Sequence, residues 1–185
     1  MTTTHERQSE PLTRDDVIAI GVQVVLRRKR VDDAPADYSW RRDEALARYD
    51  AARPITQLYE DFLRNFREEL VNSHSLRRTF AVETPAGHHI GNVMYYNIDL
   101  ARHETELGVT IGDPDYWGHG LGTEAVRLLV DYVFSTTSLS RIYLHTLDWN
   151  VRAQRAFKNA GFRDTGRSRR GSHRFHRMEI TRPAD

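Results

Sequence analysis

Residues 116–125 read YWGHGLGTEA, and three glycines in five positions stand directly ahead of a stretch with helical spacing. The first N–H groups of a helix have no intrahelical acceptor, and the helix dipole adds partial positive charge at that end. Glycines 118, 120 and 122 remove the Cβ atoms that would hold a ligand off this backbone, so the pattern predicts a phosphate-binding corner. A tight turn is the structural alternative for a glycine cluster. No Lys-Ser/Thr pair follows the last glycine and no Gly-x-Gly-x-x-Gly opens a βαβ unit, which disfavours kinase and dinucleotide chemistry.

The elements that position this corner follow from changes in hydrophobic period. A strand follows Gly21, and RRTFAVET, HHIGNVMYYNIDL and ETELGVTIG predict a three-strand meander. Helical spacing marks residues 37–52, an amphipathic helix that carries Tyr59 and Leu70, and a helix from Thr123 to about Ser135. The strand RIYLHTL, the helix in NVRAQRAFKNAGF and a strand over 173–180 complete the prediction.

Composition limits the classes of protein that are compatible with the chain. The 185 residues predict a flexible lead-in over 1–16 and a single domain over 17–185. The absence of cysteine excludes disulfides and an acyl-cysteine intermediate, and the histidines show no spacing typical of a metal site. No signal core or membrane-length apolar run is present, so we expect a cytoplasmic protein without a membrane partner. The net charge of +1 disfavours a nucleic-acid partner, although residues 163–182 carry seven arginines.

Two blocks together resemble the GNAT acetyltransferase superfamily. The stretch from Trp117 to Gly122 is similar to the family pattern Q/R-x-x-G-x-G/A, with Trp117 at the position of Gln or Arg. That substitution resembles the branch of ribosomal-protein N-terminal acetyltransferases. NVRAQRAFKNAGF resembles the family's second block, matching it at Asn150, Ala153, Lys158, Gly161 and Phe162. The resemblance implies an α/β (α+β) fold: a mixed, mostly antiparallel sheet of about six to seven strands with helices on both faces.

The resemblance also implies acetyl-CoA as co-substrate, held between two parallel strands that splay apart, and no metal. The residues that it assigns to the cofactor are Val109, Thr110, Ile111, Trp117, Gly118, His119, Gly120, Leu121, Gly122, Thr123, Asn150, Ala153, Arg155 and Phe157. Asn is also a preferred N-cap residue, and the two roles of Asn150 are compatible. Arg152 and Arg155 are candidates for the 3′-phosphate, or are solvated helix residues.

Acyl transfer to an amine needs a group that accepts the amine proton, and Glu106 is the carboxylate best placed by its spacing from Gly108. A salt-bridged strand residue is the alternative reading of Glu106, and Glu104 is the neighbouring candidate base. Many family members have a tyrosine where this chain has Phe157, which cannot donate a proton. Tyr143, or the pair Tyr95 and Tyr96, are the other hydroxyl candidates for a catalytic role.

The leading prediction is an N-acetyltransferase that acts on a primary amine, either a protein N-terminus or a small molecule. Polyamine or aminoglycoside acetylation is the alternative within the fold, and a non-catalytic acyl-CoA sensor or a nucleic-acid-binding module is the alternative outside it. The sequence leaves a homodimer open. The acceptor site is expected between the helices of 37–72 and the arginine-rich end, with candidates Tyr38, Trp40, Tyr59, Glu60 and Asp61.

Overall fold

The computed structural model describes residues 16–72 and 76–183, so the lead-in predicted over 1–16 lies almost entirely outside the described residues. Eight strands form one sheet in the order β1-β2-β3-β4-β5-β6-β8-β7. The neighbouring strands are antiparallel except β5 and β6, which run parallel. The strands are β1 (Val17–Ile20), β2 (Val25–Arg28), β3 (Arg77–Glu83), β4 (His89–Asp99), β5 (Glu104–Ile111), β6 (Arg141–Leu147), β7 (Arg163–Arg170) and β8 (His173–Thr181).

The predicted mixed, mostly antiparallel sheet is confirmed, but it has eight strands because β1 and β7 were not foreseen. The described residues form five α-helices, which are α1 (Ala34–Arg42), α2 (Glu44–Tyr49), α3 (Tyr59–Val71), α4 (Leu121–Thr136) and α5 (Val151–Asn159). No described helix is both long and apolar enough to cross a bilayer.

The predicted helix over 37–52 is two helices, α1 and α2, because Asp43 interrupts it. Asp43 has extended backbone, with φ −73° and ψ 122°, and its side chain accepts a hydrogen bond from the N–H of Leu46 at 2.8 Å. A carboxylate that caps the next helix is a standard N-terminal signal. The end of α2 lines the site described below.

One face of the sheet carries the apolar core. Buried side chains of β2 to β6 pack there against the inward side of α4, and the core includes Leu26, Val82, Val93, Leu107, Ala125, Leu129, Val133 and Ile142. The helical spacing of the α4 members is the one that predicted this helix from sequence. The core therefore fixes α4, and with it the glycine corner at its start, against β5.

A buried ion network holds α1 on the opposite face. The guanidinium of Arg27 donates to both carboxylate oxygens of Asp33, at 2.8 and 2.9 Å. Asp37 in α1 accepts from Lys29 at 2.8 Å and from the amide of Asn92 in β4 at 2.8 Å. Burial by itself would raise the pKa of Asp33, but the hydrogen bond from Arg27 and the charge of Lys29 outweigh it and lower the pKa to about 2.

Candidate active site

The sheet opens between its parallel strands. β5 and β6 are in register only at Glu104 with Arg141, Thr105 with Ile142, and Glu106 with Tyr143. β5 continues to Ile111 and β6 to Leu147 without further pairing between them, while β5 stays paired with β4 as far as Ile111. The unpaired edge of β5 is left with main-chain groups that can bind an extended ligand as another strand would.

A cavity of about 1010 Å³ fills this opening. Its walls come from β5 and β6, the start of α4, the first turns of α5, the end of α2 and the β7–β8 hairpin. Such a volume is at the upper end of the range for small-molecule and cofactor sites.

The glycine corner has both of the properties considered from the sequence. Gly118 and Gly120 have φ of +82°, so the turn itself requires glycine. An added Cβ at either position would meet no protein atom within 4 Å, so the backbone is also open to a ligand. Within the described part of the chain, the N–H groups of residues 118–123 have no hydrogen-bond acceptor, whereas the N–H of Glu124 donates to the carbonyl of Gly120 at 3.0 Å. These free donors at the start of a helix suit an anion.

The structure brings the predicted cofactor residues together, with one exception. The cavity is lined by Val109, Thr110, Ile111, Trp117, Gly118, Gly120, Leu121, Gly122, Thr123, Asn150, Ala153, Arg155 and Phe157, but not by the exposed His119. The side chain of Asn150 accepts from the N–H of Ala153 at 3.2 Å, which confirms it as the N-cap of α5. The indole N–H of Trp117 donates to the carbonyl of Ile111 at 2.7 Å and so ties the corner to β5.

Glu106 is buried at the point where the two parallel strands part. Its carboxylate accepts hydrogen bonds from His145 Nδ1 at 2.8 Å and from the amide of Asn97 at 3.0 Å. Burial, reinforced by the charge of Glu106 and the hydrogen bond to it, raises the pKa of Tyr96 to about 12. The hydroxyl therefore stays protonated and donates a hydrogen bond to the carboxylate of Glu106. Glu104 does not line the cavity and forms an ion pair with Arg141. The role of a salt-bridged strand residue, which was the alternative for Glu106, therefore fits Glu104.

His145 is a site residue that the sequence reasoning missed. It lines the cavity and lies two residues beyond Tyr143, so β-strand alternation places the two side chains on one face. Because a carboxylate only accepts hydrogen bonds, we assign the proton of the neutral imidazole to Nδ1, which leaves Nε2 available. His145 belongs to the predicted strand RIYLHTL, and pairing of this strand with the strand of Glu106 would have indicated that His145 lies near the site.

The candidate hydroxyl at Tyr143 does not reach the cavity. Burial and the charges of Glu106 and Glu104 raise the pKa of Tyr143, and the guanidinium of Arg177 lies 4.7 Å from the centre of its ring. Tyr143 is absent from the cavity lining, whereas Tyr96 is part of it. Phe157 is buried in the cavity wall and packs against Phe162. Of the hydroxyl candidates taken from the sequence, Tyr96 lines the cavity, whereas Tyr95 is buried in the core.

The acceptor-site candidates of α1 and α3 lie outside the cavity. Among them, the hydroxyl of Tyr38 donates to the carbonyl of Gln57 at 2.9 Å, and the Trp40 ring packs against His89. The acidic side chain of Asp61 is exposed and pairs with Arg64 at 2.6 Å. These side chains serve packing or the surface, as helical spacing often requires.

The end of α2 lines the cavity in their place, through residues 49–52. Desolvation of the carboxylate by the surrounding protein raises the pKa of Asp50 to about 6, against a hydrogen bond from Thr110 that favours the ionised form. Tyr49 packs edge-on against Trp117, with ring centres 5.7 Å apart. The guanidinium of Arg152 lies 3.9 Å from the centre of the Trp117 ring and 5.1 Å from that of Tyr49. This cluster joins α2, the glycine corner and α5 around one end of the cavity.

A mixed sheet that parts between its parallel strands, beside a glycine-rich helix start, defines the class of N-acyltransferase folds. A family model described as an acetyltransferase (GNAT) domain matches residues 23–163. The chain belongs to the GNAT acetyltransferase family.

Similar proteins carry narrower names. The spermidine N(1)-acetyltransferase of Vibrio cholerae is 31% identical over 111 residues, which are 58% of this chain and 62% of that protein. The chain thus matches less than two thirds of the length of this relative. An uncharacterized N-acetyltransferase, p20, of Bacillus licheniformis is 24% identical over 78% of this chain and 81% of its own length.

Solved structures share the fold. The V. cholerae spermidine N-acetyltransferase in complex with CoA and spermine gives a TM-score of 0.76 at 23% identity, covering 86% of this chain and 95% of the other. The aminoglycoside acetyltransferase AAC(6')-Ib in complex with coenzyme A and kanamycin gives a TM-score of 0.71 at 20% identity, with 86% and 95% covered.

Proposed function

We propose that the chain is an acetyl-CoA-dependent N-acetyltransferase that acts on a primary amine. The observation that carries the proposal is the continuity of one cavity: free N–H groups of the glycine corner line it, and so does the buried carboxylate of Glu106. An acyl-CoA needs the first feature for its diphosphate, and an amine nucleophile needs the second for its proton. Family membership and neighbours solved with coenzyme A support this assignment.

The glycine corner, the unpaired edge of β5 and the wall formed by α5 then bind the co-substrate. The N–H groups of residues 118–123 bind the diphosphate, and the unpaired edge of β5 at residues 109–111 binds the pantetheine amides. Arg155 lines the cavity from α5 and is the predicted partner of the 3′-phosphate. Phe157 lines the wall where an acyl chain and its thioester pack against an apolar surface.

Acetyl transfer joins the amine nitrogen to the thioester carbonyl carbon and breaks the bond from that carbon to sulfur. Glu106 accepts the proton that the amine nitrogen loses, directly or through a water, and the N–H of His145 orients its carboxylate. The sulfur leaves as a thiolate, and because thiols have pKa values of about 8.5 it needs no strong acid. A tyrosine at the position of Phe157 is therefore not essential. The proton-donating role first considered for Tyr143 receives no support from its position outside the cavity.

The amine acceptor is less constrained than the reaction. Relatives named for spermidine and aminoglycosides support a small-molecule amine over the ribosomal-protein N-terminus that Trp117 suggested. A homodimer and a cytoplasmic location stay predictions.

Incubation of the protein with acetyl-CoA and a panel of primary amines, with free thiol as the readout, tests the proposal. We expect amine-dependent thiol release above the hydrolysis of acetyl-CoA alone. Phe157 is the observation that favours the sensor alternative, which predicts tight CoA binding without thiol release for any amine. That outcome would overturn the assignment as an enzyme.

A further inference from the structure

Four arginines line the cavity without a carboxylate partner. Within the described residues, no Asp or Glu oxygen lies within 4.0 Å of the guanidinium of Arg77, Arg152, Arg155 or Arg170. All four belong to exposed residues, so what sets them apart is that they share one cavity. Guanidinium groups that converge on one cavity without a carboxylate partner favour an anionic ligand.

These arginines lie in two groups. Arg152 and Arg155 belong to the first turns of α5, and Arg152 stacks on Trp117 of the glycine corner. The phosphates of coenzyme A account for this pair under the proposed function. Arg77 belongs to β3 and Arg170 to β7, and neither strand is a neighbour of β5, the strand that leads into the glycine corner. They need a different explanation.

Arg77 and Arg170 flank Glu106 from both sides. Arg77 is in register with Tyr96, and Tyr96 is in register with Glu106, so these three side chains share one face across three neighbouring strands. On the other side, the guanidinium of Arg170 lies 3.2 Å from His145 Nδ1, the atom that is 2.8 Å from the Glu106 carboxylate. The Phe175 ring, 5.7 Å from the Arg170 guanidinium, helps to hold it there.

The geometry points to an acceptor that carries both a primary amine and a carboxylate or phosphate group; this inference rests on the proposed function. The amine would lie at Glu106, and the acidic group would bind the free donors of Arg170, with Arg77 adding positive charge. A polycation would face repulsion from both arginines at that position. Among the described residues, the only other acidic side chain of the lining is that of Asp50, which lies beside Thr110, farther along β5 toward the glycine corner. This acceptor class separates the chain from the relatives named for spermidine.

Pairs of amines that differ mainly in charge test the inference. Acetyl-CoA-dependent thiol release is measured with alanine and alaninamide, with 4-aminobutanoate and 4-aminobutanamide, with O-phosphoethanolamine and ethanolamine, and with spermidine. We expect the anionic member of at least one pair to have a kcat/KM about tenfold or more above that of its neutral partner and of spermidine, as one charged hydrogen bond provides. The carboxylate and phosphate pairs identify which acid is preferred.

Arg170→Gln is the decisive variant, and the matched control is Arg169→Gln. Arg169 precedes it on the same strand and is exposed like Arg170, but it does not line the cavity. We expect Arg170→Gln to lower the ratio of kcat/KM between anionic and neutral partners to near one, while Arg169→Gln leaves that ratio as in the wild type.

Spermidine or neutral amines preferred in every comparison, or an unchanged ratio in Arg170→Gln, would overturn the inference and leave the acetyltransferase assignment intact. No thiol release with any amine would overturn both.

Discussion

Replacement of Gly120 by alanine separates the two reasons for a glycine at the start of α4. The backbone there has φ of +82°, which costs an L-residue roughly 1–2 kcal/mol in folding stability. The added Cβ meets no protein atom within 4 Å and Gly120 lines the cavity, so we expect this Cβ to occupy space assigned to the diphosphate. Loss of one charged hydrogen bond to the backbone, at about 1.5–3 kcal/mol, raises the Kd for coenzyme A by roughly 10- to 150-fold.

Gly87→Ala is the matched control for the backbone cost. Gly87 has a similar φ of +86° and comparably open space, but it lies in the β3–β4 turn and does not line the cavity. Thermal unfolding should show similar destabilisation of the two variants, and calorimetric titration with coenzyme A should show weakened binding only for Gly120→Ala. Equal affinity of the two variants for coenzyme A would refute the placement of the diphosphate at this corner.

Three further perturbations follow from the site and the network beneath it. Glu106→Gln should lower kcat for amine acetylation by about 10²- to 10⁴-fold with little change in CoA affinity, and a kcat near the wild-type value would remove Glu106 from the proton transfer. Asp33 has a pKa of about 2 against an ordinary 3.8, so its charge contributes about 2 kcal/mol of stability that is present above pH 4 and lost as the pH falls through 2. In urea unfolding, the stability difference between wild type and Asp33→Asn should therefore shrink between pH 6 and pH 2, and a constant difference would contradict the ion-pair account. Trp117→Ala removes the ring 3.9 Å from the Arg152 guanidinium and should raise the Kd for coenzyme A severalfold in fluorescence titration, whereas an unchanged Kd would show that this stack does not support the cofactor wall.

Most of the fold could be predicted because apolar residues recur with a clear helical or strand period in its central elements. The meander β3–β4–β5, the helices α3, α4 and α5, and the strand β6 appear where alternation or helical spacing indicated them. β7 could not be found this way, since the sequence RDTGRSRR has no apolar alternation and forms a strand by pairing with β8. β1 is only four residues long. Both lie at an edge of the sheet, where burial puts little constraint on side-chain type.

The wall that we assign to the cofactor could be predicted from the sequence because main-chain groups form it, and clustered glycines indicate a turn with an open main chain. The acceptor side depends on side chains that meet across the sheet. His145 reaches Glu106 through strand register, and Arg170 reaches His145 through the β7–β8 hairpin, which was not foreseen. Asp50, at the end of α2, lines the cavity, whereas the acidic residues of α3 do not. The spacing of residues along one segment predicts none of these contacts, because each of them joins residues from different elements of the fold.

Backbone amide resonances followed during a titration with coenzyme A would show whether the glycine corner binds the diphosphate. In two-dimensional ¹H–¹⁵N spectra, we expect saturable shifts of the amide resonances. These shifts should be largest for residues 118–123 and smaller for residues 109–111 on the unpaired edge of β5. Saturable binding that leaves the amides of the glycine corner unmoved and shifts another surface would contradict the assignment of the diphosphate to this corner.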